Sequence, residues 1–163
     1  MADSAVDLFT RQLQSIYGAE HKALDLLARL GDEVPDQELA RVFQRHRSVT
    51  QEQIRRLDAI FDRARIEKVK GPCPGLDGLI SEFESLAYGE KSTDKVLDIF
   101  INGMGIKFEY FEIVAYKELV RYANNASLNW AAMLLHDTLQ EERQAADELE
   151  RLSHSLGQRV TSG

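Results

Sequence analysis

Residues Lys107 to Tyr116, KFEYFEIVAY, set two acids inside an otherwise apolar helical pattern. Glu109 and Glu112 are three positions apart, so on an α-helix they project from one face, and Tyr116 falls one turn further along the same stripe. Ile106, Phe108, Tyr110, Phe111, Ile113, Val114 and Ala115 surround them. That is too much apolar surface for a helix with one side in water, so other helices must wrap it. A carboxylate in such a place must reach solvent, accept hydrogen bonds, keep a proton or bind a cation, because a bare buried charge is costly.

The rest of the chain supplies the wrapping. Ser4 and Asp7 resemble a capping box, and Phe9, Leu13, Ile16, Tyr17, Glu20, Leu24, Leu27 and Leu30 then recur at helical spacing up to Gly31, which is expected to end a first helix. Glu20 is an acid on that apolar stripe. Pro35 fits the first turn of a second helix of about eight turns. Its buried face is Leu39, Val42, Phe43, His46, Val49, Thr50, Gln53, Ile54, Leu57, Ile60 and Phe61. The run GPCPG, Gly71 to Gly75, cannot be helical throughout, and Leu76, Leu79, Ile80, Phe83 and Leu86 then predict a short helix ending near Gly89. A third long helix starts after Ser92 and Thr93, either of which can cap it, and runs to about Ala123, with Asn124 and Asn125 as the turn. A fourth is expected from Ser127 to Gly157, with Leu128, Ala131, Leu135, Thr138, Glu142, Ala145, Leu149, Leu152 and Leu156 facing inward.

No stretch alternates β-branched and polar residues over a useful length, so the class is all-α. Short links make antiparallel hairpins of the first and second pairs of long helices. A crossover over about residues 68–92 can return the chain along the bundle, leaving the second and third long helices parallel. The expectation is one domain, residues 1–163, built as a four-helix bundle with a long crossover that contains a short helix.

Composition narrows the function. A formal net charge of −7 argues against nucleic acid as the main ligand. No run approaches the roughly 20 apolar residues of a membrane span, and an acidic MADSAVDLF start is unlike a signal peptide, which predicts a cytoplasmic protein. Cys73 is the single cysteine, which excludes an internal disulfide and a cysteine-rich metal site. It reads as a passive thiol, since only Lys68 and Lys70 lie near it in sequence.

A bundle with a long crossover and inward acids is the arrangement of ferritin-like di-iron carboxylate proteins. Carboxylates and imidazole suit iron or manganese, and gathering acids without a cation would raise their pKa values by mutual repulsion. The candidate ligands are Glu20, Glu109, Glu112 and Glu142, with His46 in or beside the set. His46 reads first as a core histidine and only second as a ligand; His21, His136 and His154 have no ligand spacing with one another. Tyr17 and Tyr116 read first as core packing, with hydrogen-bond donors or radical-quenching neighbours of a metal as the other roles.

Five motifs, in this order, carry a resemblance. They are YGAEHKAL around Glu20, FQRHRSVTQEQIRRL with His46, Thr50, Gln53 and Arg56, CPGLDGLI, KFEYFEIVAY, and DTLQEERQAADEL with Glu142. Together they resemble the DUF892, or YciE/YciF-type, ferritin-like stress proteins over nearly the whole chain. The resemblance implies a ferritin-like bundle, commonly a homodimer, connected with bacterial stress responses. It also exposes departures: Val49 stands where the family generally has a Glu, Ile106 where it has a Gln, Tyr110 where a His is common, and Ala146 where an Asp is common, with Asp147 one place outward. Spacing agrees, because Glu112 and Glu142 are 30 residues apart while the residue 30 beyond Glu20 is Thr50.

Two readings follow from the residues. One is a ferritin-like protein binding iron or manganese at one site per chain or none, and oxidising ferrous iron with dioxygen or peroxide. The other is a metal-free dimeric scaffold with a degenerate site, acting through protein contacts, and Val49 favours it. Phe100, Phe108, Phe111, Trp130 and Met133 form surplus apolar surface that a homodimer would bury. The helix-two arginines are expected to pair with Glu38, Glu52 and Asp58.

Overall fold

The computed structural model describes residues 4–89 and 93–161. Four long helices, α1 (Ala5–Glu33), α2 (Gln37–Ala64), α4 (Asp94–Asn125) and α5 (Asn129–Thr161), enclose the core, and α3 (Pro74–Gly89) lies in the crossover. No strand occurs among the described residues.

The helices pair as α1 with α2 and α4 with α5, and α1 also meets α4 while α2 meets α5. Their directions can be read from contacts at the ends. Asp98, in the first turns of α4, accepts from the backbone N–H of Asp36 at the start of α2, so α2 and α4 begin together and are parallel. Arg159 near the end of α5 pairs with Asp36 and Glu38, and Lys95 donates to the Arg159 carbonyl. The parallel arrangement expected from the long crossover is therefore present.

Local chemistry sets most boundaries. Ser4 caps α1 by accepting from the Asp7 N–H, and Asp36 caps α2 by accepting from the N–H groups of Glu38 and Leu39. Arg65, at φ 56°, closes α2 in the left-handed conformation. Other boundaries differ from expectation. Gly31 does not stop α1, which continues to Glu33. Its lack of a side chain instead brings α2 close, with a Cβ there falling 3.0 Å from Gln44 Cγ, and Gln44 donates to the Gly31 carbonyl. Pro35 precedes the cap rather than occupying the first turn. Asn124 and Asn125 end α4, and the turn lies one step later at Ser127, φ 61°. Helix α5 runs through Gly157, its last turn held by the Arg159 ion pairs. Thr93 stands at the start of α4 without a side-chain capping bond, and Ser92 lies outside the described residues.

Most of the predicted buried faces hold, but Tyr17, Leu24, Val49, Leu79, Ile80, Leu128 and Ala145 are half-buried and Leu86 is exposed. The crossover is seated on α1 by backbone contact. Gly71 N–H donates to the Gln14 carbonyl, Gln14 donates to the Glu67 carbonyl, and Ser15 to the Pro72 carbonyl. Gly18 makes this approach possible, since a Cβ there would sit 2.2 Å from the Gly71 oxygen. Helix α3 then runs along α1 and α4, tied by Lys22 to Asp77, Arg29 to Glu84 and Lys107 to Glu82. Cys73 is buried at its start.

The surplus apolar surface is smaller than expected. Phe108 is buried, Phe100 and Phe111 pack against the core, and Trp130 is half-buried with the Arg63 guanidinium 4.3 Å from its ring centre. Met133 alone of the five is well exposed, at 72%. Val96, Tyr110 and Val114 join it as exposed residues of the α4–α5 hairpin.

Candidate metal centre

Each long helix sends an acid or imidazole into the middle of the bundle. Glu20 comes from α1, His46 from α2, Glu109 and Glu112 from α4, and Glu142 from α5, and all five are buried. They arrive there because each occupies an apolar stripe whose neighbours fix it inward.

His46, Glu109, Glu112 and Glu142 each offer one ligand atom, and these atoms lie within 4.8 Å of one another. His46 Nε2 stands 3.2 Å from Glu109 Oε1 and 3.6 Å from Glu142 Oε2. Glu20 is set apart from this group. Its Oε1 accepts from the Tyr116 hydroxyl, so Tyr116 is a buried hydrogen-bond donor rather than mere packing. Tyr17, by contrast, is turned to Asp58 at 3.0 Å and belongs to the α1–α2 contact.

The carboxylates are short of partners. Glu20 Oε2, Glu109 Oε2, Glu112 Oε1 and both oxygens of Glu142 are buried with no hydrogen-bond partner. Buried polar atoms are nearly always paired, so unpaired ones gathered around one imidazole are a strong departure. Burial pushes the Glu20 carboxyl up to about 7. Burial and repulsion from neighbouring acids hold Glu109, Glu112 and Glu142 well above the ordinary range. Burial lowers His46 to about 4, leaving a neutral imidazole with a free lone pair.

The donor set fits a divalent cation. Neutral imidazole and hard carboxylate oxygens suit iron or manganese, and the unpaired oxygens are what such an ion would neutralise. The set is also smaller than a two-ion site. Val49 is half-buried beside His46, and Ala146 is buried, so neither position offers an acid. Tyr110 points outward and donates to Glu150 at 2.7 Å.

The chain matches the family described as "Domain of unknown function (DUF892)" over residues 4–161. It belongs to the DUF892 family. Protein YciF of Escherichia coli (strain K12) is 31% identical over 140 residues, which is 84% of this chain and 82% of that protein. Among solved structures, YcfI from Rhodopseudomonas palustris is 31% identical, covers 91% of this chain and 94% of its own, and superposes with a TM-score of 0.86. The structure of YciF, described as an E. coli stress protein, superposes with a TM-score of 0.90 at 26% identity, over 96% of this chain and 98% of that one. The DUF892 chain is therefore a homologue of the stress protein YciF with a buried carboxylate and histidine cluster in an all-α bundle.

Sequence reasoning missed a neighbour of this DUF892 cluster. Arg56 grips Glu141 with two nitrogens, at 2.9 and 2.8 Å, and also donates to Thr138. Gln53 donates to Glu141 at 3.2 Å. Burial would raise Glu141, but these donors outweigh it and hold the carboxyl below its usual range. The available signal was Gln53 and Arg56 three residues apart at the edge of an apolar stripe, where a cation needs a cross-helix acid. The arginine pairing expected with Glu38, Glu52 and Asp58 is only partly present: Arg55 pairs with Glu52, Arg56 with Glu141 and Arg45 with Glu148. Lys68 is the residue beside Asp58, at 3.4 Å.

Proposed function

We propose that this protein binds one divalent iron or manganese ion per chain through His46, Glu109, Glu112 and Glu142, with Glu20 in reserve. Ferrous iron would be its substrate, oxidised by dioxygen or peroxide as a protection against oxidative stress in the cytoplasm. The observation that carries this reading is the group of unpaired carboxylate oxygens buried around a neutral imidazole. A bound cation would supply charge neutralisation, and each ferrous ion would give up one electron, so that one peroxide with two protons is reduced to two waters by two ferrous ions taken in turn. The chain's own part is to hold the ligands in the middle of the bundle and to fix Glu20 through Tyr116.

Anaerobic titration with ferrous iron, followed by an oxygen pulse, tests it. One ion bound per chain, then a ferric absorption band, is the expected result. No binding would favour the second reading, a metal-free helical scaffold whose carboxyls remain protonated, which the absence of acids at Val49 and Ala146 supports. Under either reading we propose a homodimer, formed through the exposed Val96, Tyr110, Val114 and Met133 of the α4–α5 hairpin. Light scattering at micromolar concentration that detected only monomer would remove it.

A further inference from the structure

Two cavities reach the cluster, and they differ in chemistry. One, of about 20 Å³, lies beneath α3 and touches His46, Glu109 and Glu112, but Leu26, Leu27, Leu30, Leu76, Ile80 and Phe108 make the rest of its wall almost wholly apolar. The other, of about 180 Å³, is a cleft between α2 and α5. His46, Glu109, Glu141, Gln144, Arg45 and Glu148 give it a polar lining, and Val49 with other apolar side chains of α2 and α5 makes the rest of the wall. Glu109 Oε2 is buried and unpaired there.

Resting on the metal-binding reading above, we propose that this α2–α5 cleft is the route by which a hydrated divalent cation enters, with Glu141 as the transit ligand that passes it to His46 and Glu109. The alternative passage beneath α3 would strip the ion of water against hydrocarbon, which is prohibitive for a charge. The cleft has room for a cation with its water shell, and its carboxylates and imidazole offer that shell polar partners that the apolar wall of the cavity beneath α3 lacks. Glu141 is fixed in place by Arg56 and Gln53, which fill both acceptor positions of Oε2, while Oε1 takes one Arg56 bond and keeps a lone pair for a passing ion. Arg45 spans the outer rim to Glu148 and must swing aside as the ion passes.

The position that costs the site a ligand is thus the one that opens it. Val49 is half-buried on the cleft wall, where a longer side chain would project across the opening.

Stopped-flow absorbance with cobalt(II), on the chelator-treated full chain, follows loading directly, and equilibrium titration gives stoichiometry independently. Val49→Phe should slow loading by at least about tenfold while leaving the number of ions bound unchanged, because entry then requires the cleft to move. Glu141→Gln, which keeps the side chain's size but leaves the Arg56 charge unopposed, should also slow loading by about tenfold. Ala23→Leu, which fills the apolar cavity instead, should load at the parent rate. Parent-like loading in both Val49→Phe and Glu141→Gln, with normal stoichiometry, would overturn the route and leave the metal site standing. A parent protein that binds no cobalt at equilibrium would overturn both.

Discussion

The Tyr116 hydroxyl donates to Glu20 Oε1 inside the α1–α4 interface, and Glu20, fixed by this bond, still raises the pKa values of the other three buried glutamates by its charge. Tyr116→Phe removes the donor and leaves a second oxygen of Glu20 unpaired. The metal-free protein should lose about 1–3 kcal/mol, the cost of an unsatisfied buried group. Manganese affinity should rise, because Glu20 is freed to join the ligands. Urea unfolding in chelator and manganese titration by electron paramagnetic resonance measure the two effects, and unchanged affinity would mean that Glu20 cannot reach the ion.

Stability of the metal-free protein should fall as pH rises. Glu20 ionises at about 7 in the folded chain against 4.5 in a free side chain, so its contribution is complete below 4.5 and lost as pH climbs through 7. Glu109, Glu112 and Glu142, raised further, extend that loss to higher pH. His46 acts in the opposite sense, since its folded value of about 4 lies below 6.5 and its contribution disappears as pH falls through that window. Four carboxyls outweigh one imidazole. Thermal unfolding in chelator should show a lower melting temperature at pH about 8 than at about 5.5, and saturating manganese should flatten the slope by replacing the protons. A melting temperature that rose with pH would show that the carboxyls are not protonated in the fold.

Val49→Glu should raise the stoichiometry from about one ion per chain to about two, by returning a carboxylate from α2 to the place where two-ion bundles use one. Isothermal titration with manganese distinguishes the two counts. If the variant still binds a single ion, Val49 is not what limits the site.

Gly18→Ala places a Cβ 2.2 Å from the Gly71 oxygen, a contact that neither backbone can absorb without shifting. The expected loss is about 1–3 kcal/mol, typical of overpacking. Because the displaced segment leads directly to Cys73, that buried thiol should react faster with a maleimide than in the parent. Parent-like labelling would show that the crossover adjusts without lifting.

The helical periodicities made the fold legible, since every long helix is announced by an apolar stripe and the crossover by GPCPG. Helix ends were less so. Gly31 and Gly157 look like stops in isolation, but Gln44 packing on the first and the Arg159 pairs beyond the second hold the helices past them. The inward acids were legible as polar residues on apolar stripes. Their grouping was not, because the Tyr116 bond that fixes Glu20 depends on how α1 meets α4. Likewise the Arg56–Glu141 pair joins residues 85 apart in sequence, so that the spacing of Gln53 and Arg56 could announce a cross-helix acid but not say which one.

The crossover covers the bundle unevenly. With residues 66–73 and α3 laid over α1 and α4, the cluster has a closed back and, at α2–α5, an open front. The orientation of any assembly then decides its chemistry. A second copy docked on Val114 and Met133 leaves exchange with solvent intact, whereas a partner seated across Arg45 and Glu148 would seal the centre in whatever state it held at the moment of contact.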